Sequence, residues 1–197
     1  RVSATVREHR EDGHCEIAIA ELDDNARLVG AVVAASPIGD RHEKNWAPVE
    51  GTERMSFLWN TEPPVLVEVD PLLGATVLPH AIAPSAAQGS ARGGSQVIAV
   101  PGGWLTVVHH AVLVGPAGDQ RRHYRHRLIH YDNDWNVVAS SREFFFRFAG
   151  IEFCAGIARH RDGIVMSFGI EDRLAQLAVV SWDDLWTVLG PGLAGDR

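Results

Sequence analysis

The chain has 197 residues, 46% of them hydrophobic, enough to fill a core, and 25 acids against 18 bases give it a formal charge of −7. That acid surplus excludes a nucleic-acid partner, whose phosphates call for clustered Lys and Arg. No apolar run approaches the roughly 20 residues that cross a bilayer, and the opening RVSATVREHRED is charged where a signal peptide is apolar, so a soluble, cytoplasmic chain with no membrane partner is expected.

From the N-terminus, Arg1 has no Met before it and VSATV is already strand-like, which reads as a piece of a longer chain. Cys15 and Cys154 lack CxxC spacing, so they are expected to be free thiols. Four segments then share one pattern of apolar strand, acidic turn and second apolar segment: CEIAIAELDDNARLVGAVV (15–33), VLVEVDPLLGATVL (65–78), HRLIHYDNDWNVVASS (126–141) and LAQLAVVSWDDLWTVL (174–189). Their aspartates Asp23, Asp70, Asp132 and Asp183 are 47, 62 and 51 residues apart, the range of four-stranded propeller blades. The long interval holds two extra loops, SAAQGSARGG (85–94) and GPAGDQRR (115–122). Further strands MSFLW (55–59), GGWLTVVHHAVLV (102–114) and DGIVMSFGI (162–170) read as the inner strands of the blades. The only helix candidate is WDDLWTVL, capped by Asp183 or Asp184. The expected fold is all-β, a propeller-like array of three to four blades in one domain over 1–190, with a tail at 191–197.

Four patches carry chemistry. In HEKNWAP (42–48), Lys44 and Asn45 offer donors and an acceptor, and Trp46 offers either a flat face for a sugar ring or a plug for the core. In SARGGSQVI (90–98), Gly93 and Gly94 allow close backbone approach beside Arg92, Ser95 and Gln96; with no GK[ST] and no helix following, this is neither a P-loop nor a dinucleotide fingerprint. His109, His110, His123, His126 and His130 crowd into 22 residues, yet only their number suggests a metal, and none is expected. His109 ends the apolar run WLTVV and is expected either to face a ligand channel or to be a satisfied structural histidine. Glu152 stands between Ile151 and Phe153, where a buried carboxylate needs a partner, expected to be Arg127, Arg147 or His126. Asp172 ends SFGIED, aimed at the ligand end of its blade.

Taken in order, EKNWAP, RGGSQVI, GGWLTVVHH, GIEFCAGI and SFGIEDR resemble the successive motifs of five-bladed β-propeller carbohydrate-active proteins, nearest to the β-mannoside phosphorylases and related glycoside hydrolases, over about Val2 to Leu189. The resemblance implies a partial five-bladed propeller acting on or binding a β-mannoside-like glycan, closed by the rest of the same polypeptide. It gives His109 the role of holding phosphate or sugar and Asp172 that of binding sugar hydroxyls. Lys44 and Asn45 match the pair that opens the third blade. It implies no cofactor, with inorganic phosphate as the one co-substrate it allows. The chain departs from the family in two places. Trp59-Asn60-Thr61 stands where the phosphorylases carry a phosphate-clamping arginine, and the general acid, an aspartate in a Glu-Asp-x-Arg motif, is expected upstream of Arg1. No catalytic residue is therefore expected within 1–197, and the piece alone is expected to be inactive. The alternative is a non-catalytic glycan-binding propeller associated with a glycosyltransferase or other glycan enzyme.

Overall fold

The computed structural model describes residues 1–34, 36–37, 42–70, 77–80 and 91–190. Parts of two expected segments, 71–76 of the second repeat and 85–90 of the long loop, lie outside these residues, as does the tail 191–197. The chain divides into two compact units, Arg1–Gln88 and Gly89–Arg197.

The first unit holds two antiparallel sheets. One is made of β1 (Val2–Val6), β2 (Glu16–Leu22) and β3 (Leu28–Ala34) in that order; the other of β4 (Ala47–Pro48), β5 (Met55–Thr61), β6 (Pro64–Val69) and β7 (Val77–His80). Alternation in EIAIAEL turns Ile17 and Ile19 to one face, where they join Phe57, Val65, Val67 and Val69 in a shared core. Phe57 and Val67 are fully buried, each such large side chain stabilising by roughly 1.5–3 kcal/mol.

The second unit repeats the scheme. β8 (Arg92–Gly93) and β9 (Ile98–Val100) both pair with β10 (Gly103–Val114), followed by β11 (Arg121–Tyr131) and β12 (Val137–Ser140). A second sheet runs β13 (Glu152–His160), β14 (Gly163–Ile170), β15 (Leu174–Ser181). Its inward face, with Ile157, Ile164 and Met166, packs on Ile98, Leu105, Val107 and Leu128. The helix α1 (Trp182–Leu189) closes that core with Leu185, Trp186 and Leu189. Among the described residues no helix is long and apolar enough to cross a membrane.

The chain is thus all-β, with four small antiparallel sheets in chain order. Two details differ from expectation. MSFLW, WLTVVHH and IVMSFGI are the second strands of their sheets; the first strands are β4, the interrupted pair β8 and β9, and β13. Asp183 lies in the first turn of α1, not in a hairpin, and the cap is Ser181, whose Oγ accepts from the Asp184 N–H and donates to the Asp184 carboxylate.

The two acidic hairpin turns described in full are copies of each other. In DDNAR (23–27), Asp23 Oδ1 accepts from the N–H groups of Asn25 and Arg27, and the Asp23 N–H donates to the Arg27 carbonyl. In DNDWN (132–136), Asp132 Oδ1 accepts from Asp134 and Asn136, and the Asp132 N–H donates to the Asn136 carbonyl. The fourth residue is left-handed in both, Ala26 at φ 59° and Trp135 at φ 66°. The Asn136 side chain, then its backbone N–H, holds the Asp132 carboxyl below the usual range.

Candidate functional site

In the second unit the strand register brings four of the expected residues to one end of the sheets. Arg92 on β8 pairs directly with His109 on β10. The His109 ring, 5% exposed, lies 5.1 Å from Phe153 and 5.4 Å from Tyr124. Phe153 follows Glu152, which pairs with Ile170, and two residues further is Asp172. Glu171 and Asp172 both take left-handed φ, 50° and 52°, in a turn closed by Arg173 N–H to the Ile170 carbonyl. This tight turn holds Asp172 exposed at the end of the hairpin, while Glu171 is tied down by the Ile151 N–H. Arg92 is likewise exposed.

Glu152 is fully buried and compensated, but by main chain. Its Oε2 accepts from the Phe146 N–H at 2.7 Å, and its Oε1 accepts from Arg147 at 2.9 Å and Phe148 at 3.2 Å. The expected partners Arg127, the Arg147 guanidinium and His126 do not supply these bonds. Three amides presented by one loop satisfy a carboxylate without importing a second charge into the core. Both oxygens are thereby engaged in holding the loop 146–148.

Ser95 and Gln96 build the frame beneath Arg92. Ser95 Oγ accepts from the Val107 N–H and donates to the Gln96 carbonyl, bridging the gap between β8 and β9. Gln96 reaches across to β13, where Oε1 accepts from the Ile157 N–H and Nε2 donates to the Ile157 carbonyl. Gly94 lies so near both neighbours that a Cβ there would sit 3.0 Å from the Val107 carbonyl oxygen and 3.2 Å from that of Cys154. The close approach expected of the double glycine is therefore made to β10 and β13.

In the first unit, Lys44 is exposed and Asn45 is left-handed at φ 63°. Trp46 belongs to the core, 6% exposed and edge-on to Phe57 at 5.6 Å. The residue that sequence reasoning passed over is Glu43, 4% exposed. Its Oε2 accepts from the indole N–H of Trp46 at 2.8 Å and of Trp59 at 3.2 Å, and its Oε1 from Ser36 Oγ at 2.6 Å. The signal was present in E-x-x-W, but Trp59 and Ser36 join it only through the fold.

His126 was weighed as a metal ligand and is fully buried. It sits 4.9 Å from Phe146 and 5.8 Å from Phe144, and burial pulls its pKa down to about 4; the carbonyls of Phe144 and Glu152 oppose this only in part. Burial also pushes the Cys154 thiol up to about 12, leaving it inert. Among the described residues no group of three or more His, Cys, Asp or Glu is placed to hold a metal ion. No family model and no curated protein sequence matches the chain.

Proposed function

We propose that the chain is part of a carbohydrate-active β-propeller and binds a β-mannoside-like glycan at the end of the second unit marked by Arg92, His109 and Asp172. The supporting observation is the meeting of these residues: a guanidinium paired in register with a sheltered imidazole, and an exposed carboxylate held on a tight turn at the same end. Arg92 would donate to sugar oxygens or to phosphate, Asp172 would accept from hydroxyls, and the half-buried Phe153 beside His109 gives an apolar edge. The first-unit pair Lys44 and Asn45 belongs to this reading only if closure of the propeller by the rest of the polypeptide brings them to the same mouth.

One observation favours binding without chemistry. Glu152, the buried acid next to His109's neighbour Phe153, has both oxygens bound to backbone amides, so it is not poised to move a proton. The test is titration of the chain with β-1,4-mannobiose, with and without inorganic phosphate, followed by amide chemical shifts. Shifts should centre on residues 92–95, 109 and 170–173, and Arg92→Ala and Asp172→Ala should each weaken binding about tenfold or more, the worth of one charge-assisted hydrogen bond. Binding that both variants leave intact would place the ligand elsewhere; no response to any mannoside would overturn the reading.

A further inference from the structure

The opposite end of the second unit carries a separate cleft of about 480 Å³, lined by Pro101, Asp162, Ser181, Trp182, Asp183 and Trp186. The registers Trp104 to Tyr131, His160 to Gly163 and Gly163 to Ser181 place it at the sheet ends remote from His109 and Asp172. Its volume falls within the range of small-molecule sites, roughly 300–1,000 Å³.

The cleft is aromatic for a reason written in α1. Trp182 and Trp186 are one helical turn apart, so both indoles lie on one face, with ring planes 17° from parallel and centroids 6.2 Å apart. Trp186 is braced edge-on by His130 at 5.4 Å, which is buried and whose ring nitrogens make no hydrogen bond. Burial lowers the His130 pKa, so this imidazole brings no positive charge to the back of the cleft. Pro101 completes the apolar wall.

The polar lining has one sign. Asp162 and Asp183 contribute carboxylates, the Ser181 hydroxyl is occupied as the helix cap, and among the described residues no Lys, Arg or His lines the cleft. Asp183 in part offsets the helix dipole, but Asp162, on the β13–β14 turn, is held to the helix only through its backbone carbonyl, which accepts from the Trp182 N–H. Indole faces carry negative potential as carboxylates do, so both parts of the lining favour the same occupant. We propose that this cleft binds small organic ammonium cations, with the half-buried Trp182 ring, backed by the buried Trp186, as the cation–π surface and Asp162 and Asp183 as counter-charges. The proposal does not depend on the carbohydrate reading.

The experiment titrates the chain with choline and, separately, with 3,3-dimethylbutan-1-ol, its neutral carbon isostere, while following the indole N–H resonances of Trp182 and Trp186, assigned with Trp182→Phe. Choline should shift both and bind about five- to tenfold tighter than the alcohol, as one half-buried ring, the buried ring stacked behind it and nearby carboxylates predict. Asp162→Asn leaves the backbone bond to Trp182 in place, so it should fold normally, and together with Asp183→Asn it should remove most of that preference. Equal binding of choline and alcohol would reduce the cleft to an apolar groove and overturn the proposal, as would a choline preference that survives both asparagine variants. β-1,4-Mannobiose shifting these indoles in place of choline would overturn it equally, independently of its effect at Arg92 and Asp172.

Discussion

Among the described residues each unit buries one acid with both carboxylate oxygens bonded, and the two are satisfied in opposite ways. Glu43 draws its donors from side chains, two indoles and a hydroxyl carried by residues 36, 46 and 59. Glu152 draws them from three consecutive backbone amides, 146 to 148. The first acid ties together a core whose strands are already paired; the second gives shape to a loop that has little regular pairing of its own. A buried acid can therefore be a structural pin in either of two senses.

The largest expected effect separates the two by one matched substitution. In Glu152→Gln no orientation of the amide works, because both oxygens accept from N–H groups and the new NH₂ would face a donor. Lost charge and an unsatisfied buried amide together should cost about 4 kcal/mol. Urea unfolding measures the loss, and hydrogen exchange should show the amides of Phe146, Arg147 and Phe148 freed first. If those amides stay protected, the loop is held by its phenylalanines and the contrast with Glu43 collapses.

The contrast also marks how far sequence can be read. Alternation in EIAIAEL and GIVMSFGI fixes strands and core faces because period two is a local property. DDNAR and DNDWN announce their turns because an aspartate bonds to its own neighbours. Of the first strands, VSATV and the one that begins at Glu152 were legible, but β4, β8 and β9 escaped notice, since AP is two residues long and RGGSQVIAV is broken at Gly94 in a way that only β10 and β13 explain. Glu152 was recognisable as a buried acid from its apolar neighbours, but its donors were sought among charged side chains, while backbone amides leave no trace in composition. Glu43 was harder still: two of its donors arrive from other segments, and the Trp46 in its own motif looked as much like a sugar platform as a core residue.

The next effect sharpens the second-unit side of the comparison, where His126 is packed against Phe144 and Phe146, the latter in the loop that Glu152 holds. An unfolded imidazole takes a proton near 6.5, whereas the buried one does so only near 4. Between those values the unfolded chain binds more protons, so this contribution to stability is complete above about pH 6.5 and is lost as the pH falls toward 4. The shift corresponds to about 3 kcal/mol. His130, lowered by burial as well, adds in the same direction. Measured from pH 7 to 4, the wild type should lose stability relative to His126→Leu as the pH drops, the variant having the flatter profile. Parallel profiles would mean that the buried imidazole is reached by water or a partner that accommodates its charge.

The smallest effect belongs to Glu43→Gln, and its smallness is the sharper half of the comparison. Oε2 receives both indole N–H groups, while Oε1 receives the Ser36 hydroxyl. A glutamine can place its carbonyl oxygen at the Oε2 position and keep both indoles. Its NH₂ then meets Ser36 Oγ, which can rotate its own proton away and accept, since a hydroxyl has both capacities. For these three bonds the charge assistance is what is lost, and about 1 kcal/mol should follow. Adding Ser36→Ala to the glutamine variant leaves the NH₂ without that acceptor and should cost more than Ser36→Ala costs in the wild type, a coupling visible in a double-mutant cycle. The Trp46 and Trp59 indole N–H resonances should remain downfield in Glu43→Gln and move in Glu43→Leu. If glutamine proves as damaging at 43 as at 152, the charge itself, rather than the match of donors to acceptors, holds this core together.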